Sequence, residues 1–178
     1  IEPKIDGVAL ALVYQSGELQ RAYTRSGRDV TRYALEVPDI PLTVPRFGKF
    51  TVRGELYAFN EHSPKSQRIA AAQLRKIKPE CHLLSFMAFQ ILNSQNDHKH
   101  NLRELSKLDF KVVPYVDANS YDEIKKCHND WLDGRFFQSN YFTFLPTDGI
   151  VVKVNSRSIQ KQLGQSKRCP LWAVALKG

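Results

Sequence analysis

The chain has no hydrophobic run longer than Val8 to Tyr14, far short of the ~20 apolar residues a membrane-spanning helix needs. Three cysteines in 178 residues, with no CxxC pair among them, exclude a disulfide framework and suit a reducing compartment, so a cytoplasmic location is expected. Cys81 adjoins His82 and Cys127 adjoins His128. Adjacent residues on a strand point opposite ways, so neither pair makes a zinc site, and no protein-ligated metal is expected. The first residues, Ile1-Glu2-Pro3-Lys4, carry neither an initiator methionine nor a signal pattern, and the chain is therefore expected to be a piece of a longer one. Acidic residues are also in deficit. Lys plus Arg total 26 against 18 Asp plus Glu, a formal charge of +8, which draws polyanions and makes nucleic acid the first partner to test, with dispersed solubilising charge as the plain alternative.

What is present describes a globular chain. Hydrophobic residues make up 42%, charged residues 25% and aromatics 11%, which rules out a disordered, collagenous or coiled-coil protein and suits one domain with a real core. Val8 to Tyr14 and Leu19 to Thr24, separated by Gln15-Ser16-Gly17-Glu18, read as a β-hairpin with Lys4 and Asp6 at the entrance to its first strand. Arg28 to Ala34 reads as a short helix or loop, and the three prolines between Val37 and Pro45 make that stretch a connection. Phe50 to Phe59 alternates as a half-buried strand in which Gly54 signals close approach by another group. Ser66 to Ile77 reads as a helix stopped by Pro79, Leu83 to Leu92 as a buried strand with a short helix as the alternative that periodicity leaves open, Asn101 to Leu108 as a helix and Phe110 to Val116 as a short strand. A helix from Tyr121 to Asp133 follows its Ser120 cap, a strand runs from Ile150 to Val154, a short helix from Ser156 ends at Gly164, and Trp172 to Leu176 is a strand. Hairpins mixed with helices predict an α+β fold of antiparallel β-sheets with flanking helices.

The chemistry-bearing residues are lysines and acids read at strand ends: Lys4 and Asp6, then Glu55, then Asp148 and Lys153, then Lys177. A lysine with a neutral amine attacks phosphorus, neighbouring lysines neutralise phosphate oxygens in the transition state, and carboxylates hold ribose hydroxyls or Mg²⁺. Taken singly, each of these residues reads as a solvated surface charge.

The Lys4-Ile5-Asp6-Gly7 run resembles the Lys-x-Asp-Gly motif of covalent nucleotidyltransferases. Further matches follow in the family's order at Val52-Arg53-Gly54-Glu55, Leu84 to Phe89, Thr147 to Asn155 and Trp172 to Lys177. The wording of Leu163-Gly164 through Arg168-Cys169-Pro170-Leu171-Trp172, with that of Arg68 to Ala72, is similar to the adenylation domain of bacterial NAD⁺-dependent DNA ligases across the whole chain. The resemblance implies that residues 1–178 form a single nucleotidyltransferase (adenylation) core domain, N-terminally truncated. It also implies that the NMN-binding helical module, OB-fold, zinc, helix-hairpin-helix and BRCT regions expected in the full-length protein lie outside it. The implied activity is that of a DNA ligase (NAD⁺), with NAD⁺ as AMP donor, Mg²⁺ as cofactor and nicked double-stranded DNA as partner, on a monomer with no membrane association. Lys4, Asp6, Lys153 and Lys177 would be catalytic, Lys4 taking AMP through a phosphoramidate bond. Glu2 would lie beside the adenine amine, Phe89 stack on the base and Glu55 hold the ribose. Lys153 and Lys177 would contact phosphate, and Arg25 would also bind the cofactor. Arg68, Arg75 and Asp148 would serve nucleic acid, with Mg²⁺ near Asp148 and Glu55 rather than in a cage of side chains. The loop Ser26 to Thr31 is shorter than the family's and places Arg28 where the family has glutamate. Two alternatives stand beside this reading: a ligase-derived nucleic-acid-binding module without turnover, and an ATP-dependent ligase or capping-type transferase.

Overall fold

The computed structural model describes residues 1–59, 65–135, 145–167 and 169–178. Arg168, within the sequence match at the C-terminal end, lies outside the described residues. The strands form two antiparallel sheets. One has the order β1 (Glu2–Ile5), β6 (Thr147–Lys153), β7 (Ala173–Leu176), and the other the order β3 (Glu18–Thr24), β2 (Val8–Gln15), β4 (Lys49–Ala58), β5 (Leu84–Ile91). Helices α1 (Thr31–Ala34), α2 (Ser66–Gln73), α3 (His98–Lys107), α4 (Tyr121–Leu132) and α5 (Arg157–Leu163) flank them, as the α+β pattern predicts. Among the described residues no helix is long and apolar enough to cross a membrane.

Core side chains line one face of the larger sheet because β2 and the first part of β4 alternate there: Leu10, Leu12 and Tyr14 are buried, as are Phe50, Val52 and Leu56. Phe86, Met87 and Ala88 of β5 join them, with Leu102 and Leu105 of α3 closing over the sheet. Gly54 answers to the close approach expected of it. A Cβ there would stand 2.3 Å from the Phe86 ring and 2.5 Å from the Met87 carbonyl oxygen, so any side chain would push β4 off β5.

Several boundaries differ from the sequence reading. β1 is a strand of its own that pairs with β6, so Lys4 stands within a strand and not at the entrance to the hairpin. Glu55 likewise lies mid-strand in β4, opposite Met87. α2 ends at Gln73 with its cap at Leu74, short of Ile77, because the next residues are tied to another loop. α3 begins at His98 rather than Asn101, its start fixed by Asn155, whose carbonyl accepts from the His98 N–H and whose side chain accepts from that of Lys99. Phe110 to Val116 is not a ladder strand. Among the described residues its backbone bridges to β5 at Ala88–Val112 only, and Pro114 has no N–H with which to extend the pairing. α4 carries the predicted Ser120 cap, which accepts from the Glu123 N–H, but buries none of its residues. Cys81–His82 and Cys127–His128 sit on a 3₁₀ turn and on α4, not on strands.

Candidate functional site

The sequence-selected residues gather where the chain passes from one sheet to the other. Lys4 is the last-but-one residue of β1, and Asp6-Gly7 then leads straight into β2. Gly7 is obligatory at that crossing. A Cβ would fall 2.3 Å from the Leu56 carbonyl oxygen and 2.8 Å from Cγ of Glu55, so its absence lets the Glu55 side chain lie against the backbone three residues after Lys4.

On the smaller sheet two ionic groups form. Lys4 Nζ donates to Asp148 Oδ1 at 2.7 Å, and Lys177 Nζ lies 2.8 Å from Asp148 Oδ2. Burial opposes ionisation of Asp148, yet the hydrogen bonds from Lys177 and Lys4 outweigh it and hold the carboxyl below its ordinary range. The second group is buried. Glu2, 3% exposed, meets His98 Nε2 through one oxygen and Lys153 Nζ through the other, both at 2.5 Å. Desolvation would raise its carboxyl, but the Lys153 charge and the His98 hydrogen bond prevail and lower it. A carboxylate only accepts, so His98 Nε2 carries the proton. Lys153 Nζ also sits 4.9 Å from the centre of the Phe89 ring, a cation–π distance.

Register irregularities aim two of these side chains. Pairing of β1 with β6 slips between Pro3 and Ile5, at Lys4. In β5, Gln90 pairs with Arg53 and Ala88 with Gly54, which leaves Phe89 as the extra residue of a bulge. Such bulges turn a side chain out of the regular alternation, here bringing the Phe89 ring over Lys153. α4 steadies the far end: Trp131 Nε1 donates to Thr147 Oγ1 at 2.9 Å, and His128 Nε2 lies 3.1 Å from the Lys177 carbonyl.

Two cavities flank this cluster. One, of about 560 Å³, is lined by Glu2, His98, Tyr115, Lys153, Asn155 and Trp172 among others. The other, of about 730 Å³, is lined by Gly7, Arg25, Arg28, Glu55, Gln67 and Arg75 among others. The structure thus brings together Glu2, Lys153 and Phe89 on one side, Lys4, Asp148 and Lys177 on another, and Glu55, Arg25 and Arg75 around the second cavity. Asp6 is half-buried beside them, its N–H bonded to the Pro146 carbonyl and its charge felt by Glu55 and Lys177. Arg68 is exposed on α2 and lines neither cavity. His98 escaped the sequence reading because nothing local marks it; only the α3–β1 packing sets it against Glu2.

Among the described residues no three ligating side chains are grouped as a metal would need, and both oxygens of Asp148 are engaged by lysines. The side chains therefore do not fit a protein-built Mg²⁺ cage.

Burial pushes the Glu55 carboxyl up to about 7; the Lys4 charge opposes this, and those of Asp148 and Asp6 add to it. A folded-state pKa raised above the ordinary 4.5 means that the native chain holds this proton more tightly than the unfolded chain. Stability from Glu55 is complete below 4.5 and is lost as pH rises through about 7. Urea denaturation at pH 5 and pH 8 is expected to show Glu55→Gln gaining on the parent by on the order of 2 kcal/mol at the higher pH. Parallel pH dependences would refute the shifted carboxyl.

Comparison with known proteins places this geometry. The family described as NAD-dependent DNA ligase adenylation domain matches residues 1–178. The chain is 32% identical over 205 residues to a DNA ligase of Halothermothrix orenii, covering 99% of this chain and 30% of that protein. It is 34% identical over 203 residues to a DNA ligase of Fervidobacterium nodosum, covering 99% and 29%. It thus spans about a third of the length of the curated relatives it matches. A solved structure from work on Lig E DNA ligases superposes with TM-score 0.60 at 16% identity, over 99% of this chain and 60% of that one. An archaeal ATP-dependent RNA ligase gives 0.53 at 18% identity, over 88% and 39%. At those identities the structural likeness is one of fold.

Proposed function

The chain belongs to the NAD-dependent DNA ligase adenylation domain family, and from that premise we propose that it takes AMP from NAD⁺ onto Lys4 and passes it to the 5′-phosphate of a DNA nick. The observation that carries the proposal is a lysine amine in contact with Asp148, flanked by the cavity that Glu2 and Lys153 line and by the arginine-lined one. In the first step Lys4, its amine neutral after giving a proton to water, bonds through the Nζ lone pair to the α-phosphorus, and the P–O bond to nicotinamide mononucleotide breaks with its electron pair leaving on that nucleotide's phosphate oxygen. Lys177, held on the same Asp148, neutralises charge growing on the phosphoryl oxygens, and Arg25 and Arg75 face the departing phosphate. In the second step a nick phosphate oxygen attacks the same phosphorus and the P–N bond breaks, returning the electron pair to Lys4.

The base side follows from Glu2, Lys153 and Phe89. A buried carboxylate oxygen accepts from an exocyclic amine, and an aromatic face stacks on a purine. Lys153, bonded to Glu2 and over the Phe89 ring, fixes both groups at that end of the site. Glu55 would take the ribose hydroxyls across the crossing at Gly7. Magnesium would ride on the nucleotide's own phosphate oxygens, and no step is routed through it. Phe89→Ala is expected to weaken AMP binding by about 1 kcal/mol or more, several-fold in Kd by calorimetry. Unchanged affinity would return the ring to the core.

Intact mass after incubation with NAD⁺ and Mg²⁺, compared with ATP and Mg²⁺, tests the proposal. Slow gain of one AMP from NAD⁺ by this chain alone, faster once the NMN-binding helical module is restored, and none from ATP is the expected result. A gain from ATP alone would make the chain an ATP-dependent transferase, and no gain from either would leave a nucleic-acid-binding module.

A further inference from the structure

Between α2 and the 3₁₀ turn before β5, the segment Leu74-Arg75-Lys76-Ile77-Lys78-Pro79 leaves the body of the molecule with all of Arg75 to Lys78 exposed. Ile77 is 88% exposed, a large aliphatic side chain standing in solvent. The loop is nevertheless held at its base and along its inner edge. At the base, the Glu80 N–H donates to Gln73 Oε1 at 3.0 Å, and Gln73 is itself buried. Along the inner edge, Arg28 Nη2 donates to the Leu74 carbonyl at 2.9 Å, while Arg32 Nη2 and the Tyr33 hydroxyl donate to the Lys76 carbonyl at 3.0 and 3.2 Å. Arg32 is in turn set by Tyr33, whose hydroxyl it meets at 2.6 Å and whose ring it covers at 4.4 Å.

Such bracing satisfies the inward carbonyls and leaves the outward side chains, cationic at 75, 76 and 78 around an apolar tip, as a fixed surface. Among the described residues the carboxylate contacting them is Glu80, 3.4 Å from Lys76 Nζ on the exposed surface, a weak pair. Leu74 and Arg75 also wall the larger cavity beside Glu55, so a chain of phosphates laid along the loop runs on into the proposed site.

We propose that the 74–79 loop is a docking surface for duplex DNA, in which Lys76 and Lys78 seat successive phosphates and Ile77 presses on the sugar faces of the groove between them, with Arg32 as the positioning residue that holds the loop. The assignment rests on the reading of the chain as an adenylating DNA-ligase domain and extends it from Arg75, which the resemblance already gives to nucleic acid, to Lys76, Ile77, Lys78 and Arg32. Charge complementarity selects the partner: closely spaced cations on a rigid backbone match a regular polyanion, and the chain's +8 excess adds attraction at long range.

Fluorescence anisotropy of the 178-residue chain with a nicked duplex at several salt concentrations tests it. Lys76→Ala with Lys78→Ala is expected to cut the slope of log affinity against log salt by about 2, each lost phosphate contact removing ~0.9. Ile77→Ala is expected to weaken binding a few-fold at every salt concentration with the slope unchanged, the mark of an apolar contact. Arg32→Ala is expected to speed amide hydrogen exchange across 74–78 and weaken binding, with Arg32→Lys restoring less than half of either. Lys125→Ala with Lys126→Ala on α4 serves as the charge-matched control and leaves the slope within experimental error. A slope lost equally in the control, an unchanged slope in the loop variant, or capture of phosphatidylserine vesicles without duplex binding would each overturn the assignment. Lysyl-AMP formation by the unaltered chain, scored separately, distinguishes failure of the loop assignment from failure of the site's reading.

Discussion

Lys4→Ala is expected to abolish covalent AMP uptake completely while the domain stays folded. Under the proposed chemistry no other group can replace the amine, since Lys153 is held on buried Glu2 and Lys177 lies beyond β7 on the opposite oxygen of Asp148. The folding cost is small. The Lys4–Asp148 pair is about a third exposed on both sides, such pairs contribute ~1 kcal/mol or less, and Lys177 remains to neutralise Asp148. Lys4→Arg separates the two roles: it keeps a cation for Asp148 but offers no nucleophile at neutral pH, so it too should take no AMP and should melt close to the parent. Intact mass after incubation with NAD⁺ reads the first property and a thermal melt the second. AMP retained by either variant would remove Lys4 from the mechanism.

The largest effect on stability is expected from Glu2→Ala. Among the described residues its carboxylate is the counter-charge that meets Lys153, whose side chain is 11% exposed, and it also accepts from His98, 7% exposed. Removing it strands a cation and a donor in the interior, which costs about 3–5 kcal/mol. For a domain of this size that lowers the Tm by roughly 10 °C. The pH dependence has a definite sign. A carboxyl held below its ordinary value contributes stability that is complete above the unfolded pKa, here 4.5, and is lost as pH falls through the lower folded value. Melts of parent and variant should therefore differ most at neutral pH and converge in acid. A difference of less than 2 °C at pH 7, or one that grows in acid, would show that the Glu2 network does not hold the sheet to α3.

Both expectations concern residues that the sequence named, and the difference between them shows where sequence reading stopped. Lys4 and Glu2 stand two apart, so strand alternation alone would put them on one face, and the register slip at Lys4 breaks that alternation. That Glu2 is buried while Lys4 meets solvent depends on α3, which presents His98 to one and not to the other. Phe89 is a similar case. In a continuous apolar run, Leu84 to Leu92, nothing separates it from its neighbours; the bulge opposite Arg53 and Gly54 exists only when β4 and β5 pair.

Local patterns were sufficient for most elements because their causes are local. The hairpin at Ser16-Gly17, the Ser120 and Ser156 caps and the alternation of β2 and β4 each act within a few residues. Gly54 could be read as a close approach, though not what approached. Ordered motifs from Lys4 to Lys177 identified the family because their residues and their order run along the whole chain, even though the loop Ser26 to Thr31 is shorter.

Tertiary structure decided what depends on residues far apart in the chain. It placed β1 beside β6 instead of leading into the hairpin, reduced Phe110 to Val116 to a single bridge, and stopped α2 at Gln73 by drawing the following carbonyls onto Arg28, Arg32 and Tyr33. It divided the lysines, giving Lys153 to Glu2 and Lys177 to Asp148, and left Arg68 away from both cavities. Hydrogen bonds and ion pairs with partners 40 to 150 residues distant are set by which surfaces the core brings together, and hydrophobic burial fixes that for the chain as a whole rather than for any window of it.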